Sequence, residues 1–280
     1  MPGVARDGAT IHYEVEGSGP PVLLIQGTGI AASGWRRQVE GLRDRFRCAV
    51  FDNRGVGRSG PADRSLSVAQ MAGDACAVLD ALGWQSAHVV GHSLGGLIAQ
   101  EVALRIPGRV RSLALLCTMR DGRDIARLTA ATLWLGLRMF IGTRRMRRMA
   151  SFASIMPRRL DPGLDRDAMA AEFAEVFGRD LAAQPSVSFR QIRAMAAHVP
   201  SDLGPLAAIP TLVVTGDSDQ IVRPALGRAL AASISGARHV ELADAGHAVI
   251  LHDAARVNDL LADHFMAAER SRQDLAAPDA

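Results

Sequence analysis

Residues 87–96 read Ala-His-Val-Val-Gly-His-Ser-Leu-Gly-Gly, a short apolar strand that runs straight into Gly-x-Ser-x-Gly. An amphipathic helical stretch (residues 97–106) follows and stops at Pro107. A strand that must become a helix within so few residues has little conformational freedom. A Cβ at Gly91 or Gly95 would collide across so tight a turn, and Ser93 between them is held under backbone strain with its hydroxyl lifted clear of the sheet. The helix starting at Leu94 aims free N–H groups and its positive dipole end at charge developing beside Ser93. As a bare string the pattern marks a structural turn as readily as a nucleophile. The strand before it and the helix after it favour the nucleophile.

The rest of the chain repeats this alternation. Residues 3–6 and 10–16 flank Asp7-Gly8 as a β-hairpin, and residues 21–26 form a fully apolar strand before the Gly-rich loop Gly27-Thr28-Gly29. Helical stretches at 35–42 and 68–82 bracket a strand at 47–52, and another strand spans 110–117. Regular strand–helix alternation lapses between 119 and 205, a helical stretch rich in Arg, Met and Phe, and resumes with strands at 209–217 and 237–242 and helices at 225–232 and 254–265. From 267 onward the polar tail is expected to fray. Strands with near-continuous apolar interiors alternating with helices predict an α/β fold, a mostly parallel twisted sheet flanked by helices. The expected core comprises residues 1–118 and 206–280, with residues 119–205 inserted as a helical cap.

Composition removes several chemistries. All 32 Lys+Arg residues are arginine, so a Schiff-base lysine, a phosphate-loop lysine and a Ser-Lys dyad are excluded. The arginine bias reads as the mark of a GC-rich bacterial coding sequence rather than of nucleic-acid binding. The run Arg144-Arg145-Met146-Arg147-Arg148 reads as the solvated face of a helix with inward methionines. Three cysteines, Cys48, Cys76 and Cys117, are expected as free, mostly buried thiols. No ligand spacing or dinucleotide fingerprint calls for a metal or organic cofactor. The absence of a signal-like or membrane-spanning run predicts a cytoplasmic protein with no membrane or nucleic-acid partner, monomeric or homodimeric.

A serine hydroxyl needs a base within reach and a carboxylate to orient that base. Asp217 and Asp219 follow one strand in Gly-Asp-Ser-Asp, and His247 follows the last strand in Ala-Gly-His. Each sits just past a strand's carboxyl end, where open parallel sheets place ligands. With the elbow at Ser93, the Asp-x-Arg-Gly-x-Gly-x-Ser run at 52–59, Gly216-x-x-Asp219 and Gly246-His247, the chain resembles a capped α/β-hydrolase over nearly its whole length. The resemblance implies Ser93 as nucleophile, Asp219 in preference to Asp217 as orienting acid, and His247 as general base. It also implies an oxyanion hole made by the N–H groups of Thr28 and Leu94. One departure stands out: Gln26-Gly27 occupies the place of the family's His-Gly, a change shared with some bacterial polyketide-tailoring esterases.

Seven of the ten methionines lie between Met119 and Met195, near Trp134 and Phe140. This predicts a cleft suited to a small, mainly apolar substrate, touched by Gly27, Gly29, His92, Trp134, Phe140 and His198. Arg54 and Arg58 are expected to bind their own turn and nearby carboxylates. The leading expectation is hydrolysis of an ester, lactone or thioester through an acyl-enzyme. Elimination, carbon–carbon cleavage or cyclisation by the same residues stays open, as does a non-catalytic ligand-binding role.

Overall fold

The apolar runs become a single sheet in a computed structural model that describes residues 2–61, 66–126, 134, 136–199 and 202–276. Its strands are β1 (Gly3–Arg6), β2 (Ala9–Glu16), β3 (Pro21–Ile25), β4 (Arg47–Phe51), β5 (Ala87–His92), β6 (Val110–Leu116), β7 (Thr211–Gly216) and β8 (Arg238–Leu242). They lie in the order β1-β2-β4-β3-β5-β6-β7-β8. β1 and β2 pair antiparallel with each other, as do β2 and β4. The other pairings are parallel.

Strand residues alternate between two cores. Leu23, Ile25, Val89, Leu113, Leu115 and Val213 pack against α2 (Val68–Ala81) and α3 (Leu94–Arg105). Val22, Leu24, Val90, Ala114, Leu116 and Val214 share a second core with α1 (Arg36–Leu42) and the closing helix, which brings in Val257, Leu261 and Phe265. Full burial of each such side chain stabilises the fold by roughly 1.5–3 kcal/mol, so both faces resist a one-residue slip in strand register. Register also decides where the chemistry emerges. Ile25 pairs with Gly91, His92 with Leu116, and Gly216 with Leu242. Residues 26–28, Ser93, 217–219 and 245–247 therefore leave the sheet at one edge.

Between β6 and β7 lie α4 (Arg144–Ile155), α5 (Arg166–Val176) and α6 (Ser186–Ala196). Thr143 and Asp165 cap the first two by accepting from the N–H groups of Met146 and Ala168. Phe152, Phe173 and Phe177 form a ladder with ring centroids 5.9 and 6.1 Å apart and join the second core. The basic run on α4 is paired rather than simply solvated: Arg144 and Arg148 share Asp180, and Arg145 holds Asp167. Met146 faces outward, contrary to expectation, because it lies beside those arginines on the exposed side of the helix.

The last helix also differs from the sequence reading. It runs unbroken as α8 from Ala254 to Ala276, past a short α7 (Val249–His252). Ala268 is buried, and Glu269 accepts from Arg111 on β6 at 3.1 Å. A tail that looks polar in sequence is thus fixed by a pairing 158 residues away. Among the described residues no helix is long and apolar enough to cross a membrane.

Candidate active site

Ser93 occupies the turn between β5 and α3 with φ 55° and ψ −121°, a positive-φ conformation costly for any residue but glycine. Its neighbours hold it there. The Ser93 N–H donates to Leu116 O at 3.0 Å, and Thr118 Oγ1 donates to Ser93 O at 2.7 Å. A Cβ on Gly95 would strike the carbonyl of Ile25, and one on Gly91 would strike the carbonyl of Gly95. The first substitution would push the elbow off the end of β3, and the second would push the start of α3 off β5. Leu94 opens α3, so its N–H lacks an intrahelical acceptor. Among the described residues, neither that N–H nor the N–H of Thr28 is given to another protein group.

The loop carrying Thr28 is latched from several directions. Gln26 Oε1 accepts from the next residue's N–H, Gly27, at 2.8 Å. Asn53 Nδ2 donates to Gln26 O at 2.7 Å. Asp52 accepts from Ala32 N at 2.7 Å through Oδ1 and from Arg58 N at 2.9 Å through Oδ2. The turn at residues 52–59 therefore clamps both ends of the 26–32 loop. The turn itself is anchored by Arg54, fully buried and doubly bonded to Asp74 at 2.6 and 2.9 Å.

His247 leaves β8 with its ring fixed by Asp219: Nδ1 lies 2.8 Å from Asp219 Oδ2. The other carboxylate oxygen, Oδ1, accepts the N–H groups of Ile221 and Val222, both at 2.8 Å. With Nδ1–H donated to the carboxylate, Nε2 carries the ring's basic lone pair. The backbone is clamped as well. His92 Nε2 donates to His247 O at 2.9 Å, Gly246 N donates to His252 Nε2 at 3.1 Å, and Ala248 N donates to Ile155 O at 2.8 Å. Asp217 instead accepts from Ala245 N at 3.3 Å and stays in the loop.

Ser93, His247, Gly27 and Thr28 line a cavity of about 210 Å³, roofed by Ile155, Phe177, Leu181, Ile192 and Met195 from the segment between β6 and β7. Polar side chains share the roof: Ser151, Ser154, Gln184, Ser188 and Arg179. His92 lines it too, buried and edge-on to Trp35, and burial pushes its pKa down to about 3.

Four expected contacts lie elsewhere. Trp134 is 59% and Phe140 50% exposed. Neither lines the cavity: Arg138 stacks over the Trp134 ring, and Phe140 packs on Phe189 outside. His198 is half-buried, 3.9 Å from Glu101, and does not line the cavity. Gly29 is consumed by bracing, since its N–H goes to Gln191 Oε1 at 2.7 Å and its carbonyl accepts from Arg179 Nε at 3.0 Å. Arg179, Gln184 and the three serines carried no sequence signal, because each is one common polar residue in a helical stretch without a motif.

His92, Cys117 and His247 place ligand atoms within 4.8 Å of one another. Both histidines are already committed to protein hydrogen bonds, and burial together with Asp219 pushes the Cys117 thiol well above its ordinary value. The set fits a hydrogen-bonded cluster better than a metal site, which needs a thiolate and free ring nitrogens. The three cysteines are free.

The sequence pattern of the α/β-hydrolase fold family matches residues 20–254. Over 116 residues the chain is 44% identical to RutD of Azorhizobium caulinodans, assigned as a carbamate hydrolase, a stretch that is 41% of this chain and 44% of that protein. The chain thus matches less than half the length of its RutD relatives at that level. It is 27% identical to the cis-3-alkyl-4-alkyloxetan-2-one decarboxylase of Shewanella oneidensis, over 94% of this chain and 87% of that one. The enol-lactonase of Burkholderia xenovorans LB400 superposes with a TM-score of 0.74 at 26% identity, covering 95% of this chain and all of that one (100%). The N-acyl homoserine lactone degrading enzyme Est816 matches equally, with a TM-score of 0.74 at 26% identity over 94% and 99% of the two chains. By the length of its match and the architecture of its sheet and elbow, the chain belongs to the α/β-hydrolase fold family of enzymes.

Proposed function

We propose that this chain is a serine hydrolase acting on a small ester or lactone, with the insertion serving as a cap over the site. Ser93 Oγ attacks the carbonyl carbon while His247 Nε2 takes its proton. The developing oxyanion accepts from the N–H groups of Thr28 and Leu94, each such donor being worth about 2.7–4 kcal/mol in the transition state. The intermediate collapses, and His247 returns the proton to the departing alkoxide. Water then repeats the sequence on the acyl-enzyme and releases the acid. Asp219 keeps the ring in the tautomer that leaves Nε2 basic.

The observation that carries this reading is the His247–Asp219 pair at 2.8 Å, with the carboxylate's second oxygen saturated by two backbone N–H groups. It opens on the same cavity as the strained serine. A cavity of about 210 Å³ is smaller than the roughly 300–1,000 Å³ that holds drug-sized ligands, which favours a short acyl chain. The test is turnover of p-nitrophenyl esters from acetyl to decanoyl by wild type and Ser93→Ala, with products identified. Ser93-dependent release of acid and alcohol, peaking at short chains, supports the proposal. Consumption of a β-lactone with loss of carbon dioxide would support lyase chemistry instead.

A further inference from the structure

We propose that Arg179 makes the cavity wall beside the 26–32 loop a carboxylate subsite, so that the substrate is an ester or lactone carrying an acid group. The proposal rests on the hydrolase reading and narrows its substrate class. Arg179 follows α5 by way of the left-handed Gly178 (φ 68°). Nε donates to Gly29 O at 3.0 Å and Nη1 to Ala183 O at 2.7 Å. A guanidinium has five N–H donors in a planar fork, so three remain, including both on Nη2.

Among the described residues no carboxylate lies within ion-pair distance of Arg179. The adjacent Asp180 is held by Arg144 and Arg148, with contacts of 2.6–3.0 Å. Arg144, Arg145 and Arg148 nearby are all paired with aspartates. No Asp or Glu among the described residues lines the cavity, and Arg179 is the one arginine among them that does. The neighbouring His92 is neutral, with its pKa pushed down to about 3 by burial. Burial also lowers the pKa of Arg179 itself, outweighing the opposing charge of Asp180, a sign that the cation is held there at a cost.

Bracing two backbone carbonyls needs only neutral donors, which a glutamine amide supplies. The charge is what the bracing leaves unexplained, and a bound carboxylate offsets it through a two-pronged guanidinium contact. Because Arg179 touches the carbonyl of Gly29, one residue from the Thr28 N–H, the acid group lies a short chain away from the reacting carbonyl.

The experiment compares mono-p-nitrophenyl half-esters of glutaric, adipic and pimelic acids with neutral pentanoyl, hexanoyl and heptanoyl esters. Wild type, Arg179→Gln and Arg179→Lys are assayed with the Ser93→Ala rate subtracted. The expected result is at least a tenfold kcat/KM preference for one half-ester in wild type. Arg179→Gln abolishes that preference and Arg179→Lys partly retains it. Equal rates on both series in wild type, or equal loss on both in Arg179→Gln, would make Arg179 a brace for Gly29 and overturn the subsite.

If no ester in either series turns over through Ser93, the hydrolase reading fails, and calorimetric binding of glutarate to Ser93→Ala still reads the subsite. Binding that is lost in Ser93→Ala/Arg179→Gln sustains it. Absence of binding, or binding indifferent to Arg179, refutes it.

Discussion

Replacing Asp219 by asparagine separates orientation from packing at this site. The carboxylate's Oδ1 accepts two backbone N–H groups at 2.8 Å, from Ile221 and Val222. An amide nitrogen cannot accept them, so the carbonyl oxygen of the introduced amide must take that position. The NH2 group is then turned toward His247 Nδ1, which now has to accept. The ring is forced into the tautomer with hydrogen on Nε2, and the base facing the serine is lost. The same substitution in a serine-protease triad costs about 10⁴-fold in kcat with its geometry intact, or about 5.4 kcal/mol on the barrier. Steady-state hydrolysis of the best p-nitrophenyl ester measures the loss, and thermal melts verify that folding survives. Nitrogen-15 shifts of the His247 ring report the tautomer directly. The reasoning is refuted if Asp219→Asn retains more than a tenth of wild-type kcat, or if Asp217→Asn loses as much.

Three further outcomes test the surroundings. Arg54→Met removes the buried partner of Asp74 and leaves that carboxylate to the partly exposed Arg6 alone; urea unfolding should show a loss of about 3 kcal/mol, and a loss below about 1 kcal/mol would contradict the anchoring role. Asn53→Ala frees the carbonyl of Gln26 from its 2.7 Å bond and should lower kcat more than it raises KM, because the relaxed loop carries the Thr28 N–H; an unchanged kcat would show that the latch does not set oxyanion geometry. Burial holds His88 and His92 down at about 3 and His264 at about 4. The unfolded rings, near 6.5, bind protons first as pH falls, so the stability these neutral rings contribute is complete above that value and drains as pH drops toward the folded values. The melting temperature should fall by on the order of 10 °C between pH 7.5 and 5, and a flat profile to pH 4.5 would show that these rings do not govern acid stability.

What the sequence made legible follows from the range of the forces involved. Strand interiors such as 21–25, 89–91 and 212–214 are apolar at every position because both faces of a parallel sheet are covered, so the α/β architecture could be read from local pattern. Gly91 is readable because the clash it avoids, with the carbonyl of Gly95, lies within five residues, whereas the clash Gly95 avoids is with Ile25 on β3 and only the motif points to it. Asp219 and His247 drew notice because each follows a strand end, and strand ends converge at one edge. The latch on the 26–32 loop was hidden, since it joins that loop to Asp52, Asn53, Arg179 and Gln191, up to 162 residues away. No local pattern encodes such contacts. The same limit explains the errors. Trp134 and Phe140 were drawn toward the cleft by hydrophobicity alone, yet Phe140 pairs with Phe189 at the surface. The tail past residue 267 looked frayed because the partner of Glu269 sits on β6.

We propose Ser93 as a nucleophile activated by the ring that Asp219 orients. A fluorophosphonate probe tests it without knowledge of the substrate. Incubation followed by intact-mass and peptide analysis should show one adduct per chain, on Ser93, formed rapidly in wild type, at a greatly reduced rate in His247→Ala and not at all in Ser93→Ala. A folded wild-type protein that stays unlabelled, or takes up the probe at another residue, would contradict the account.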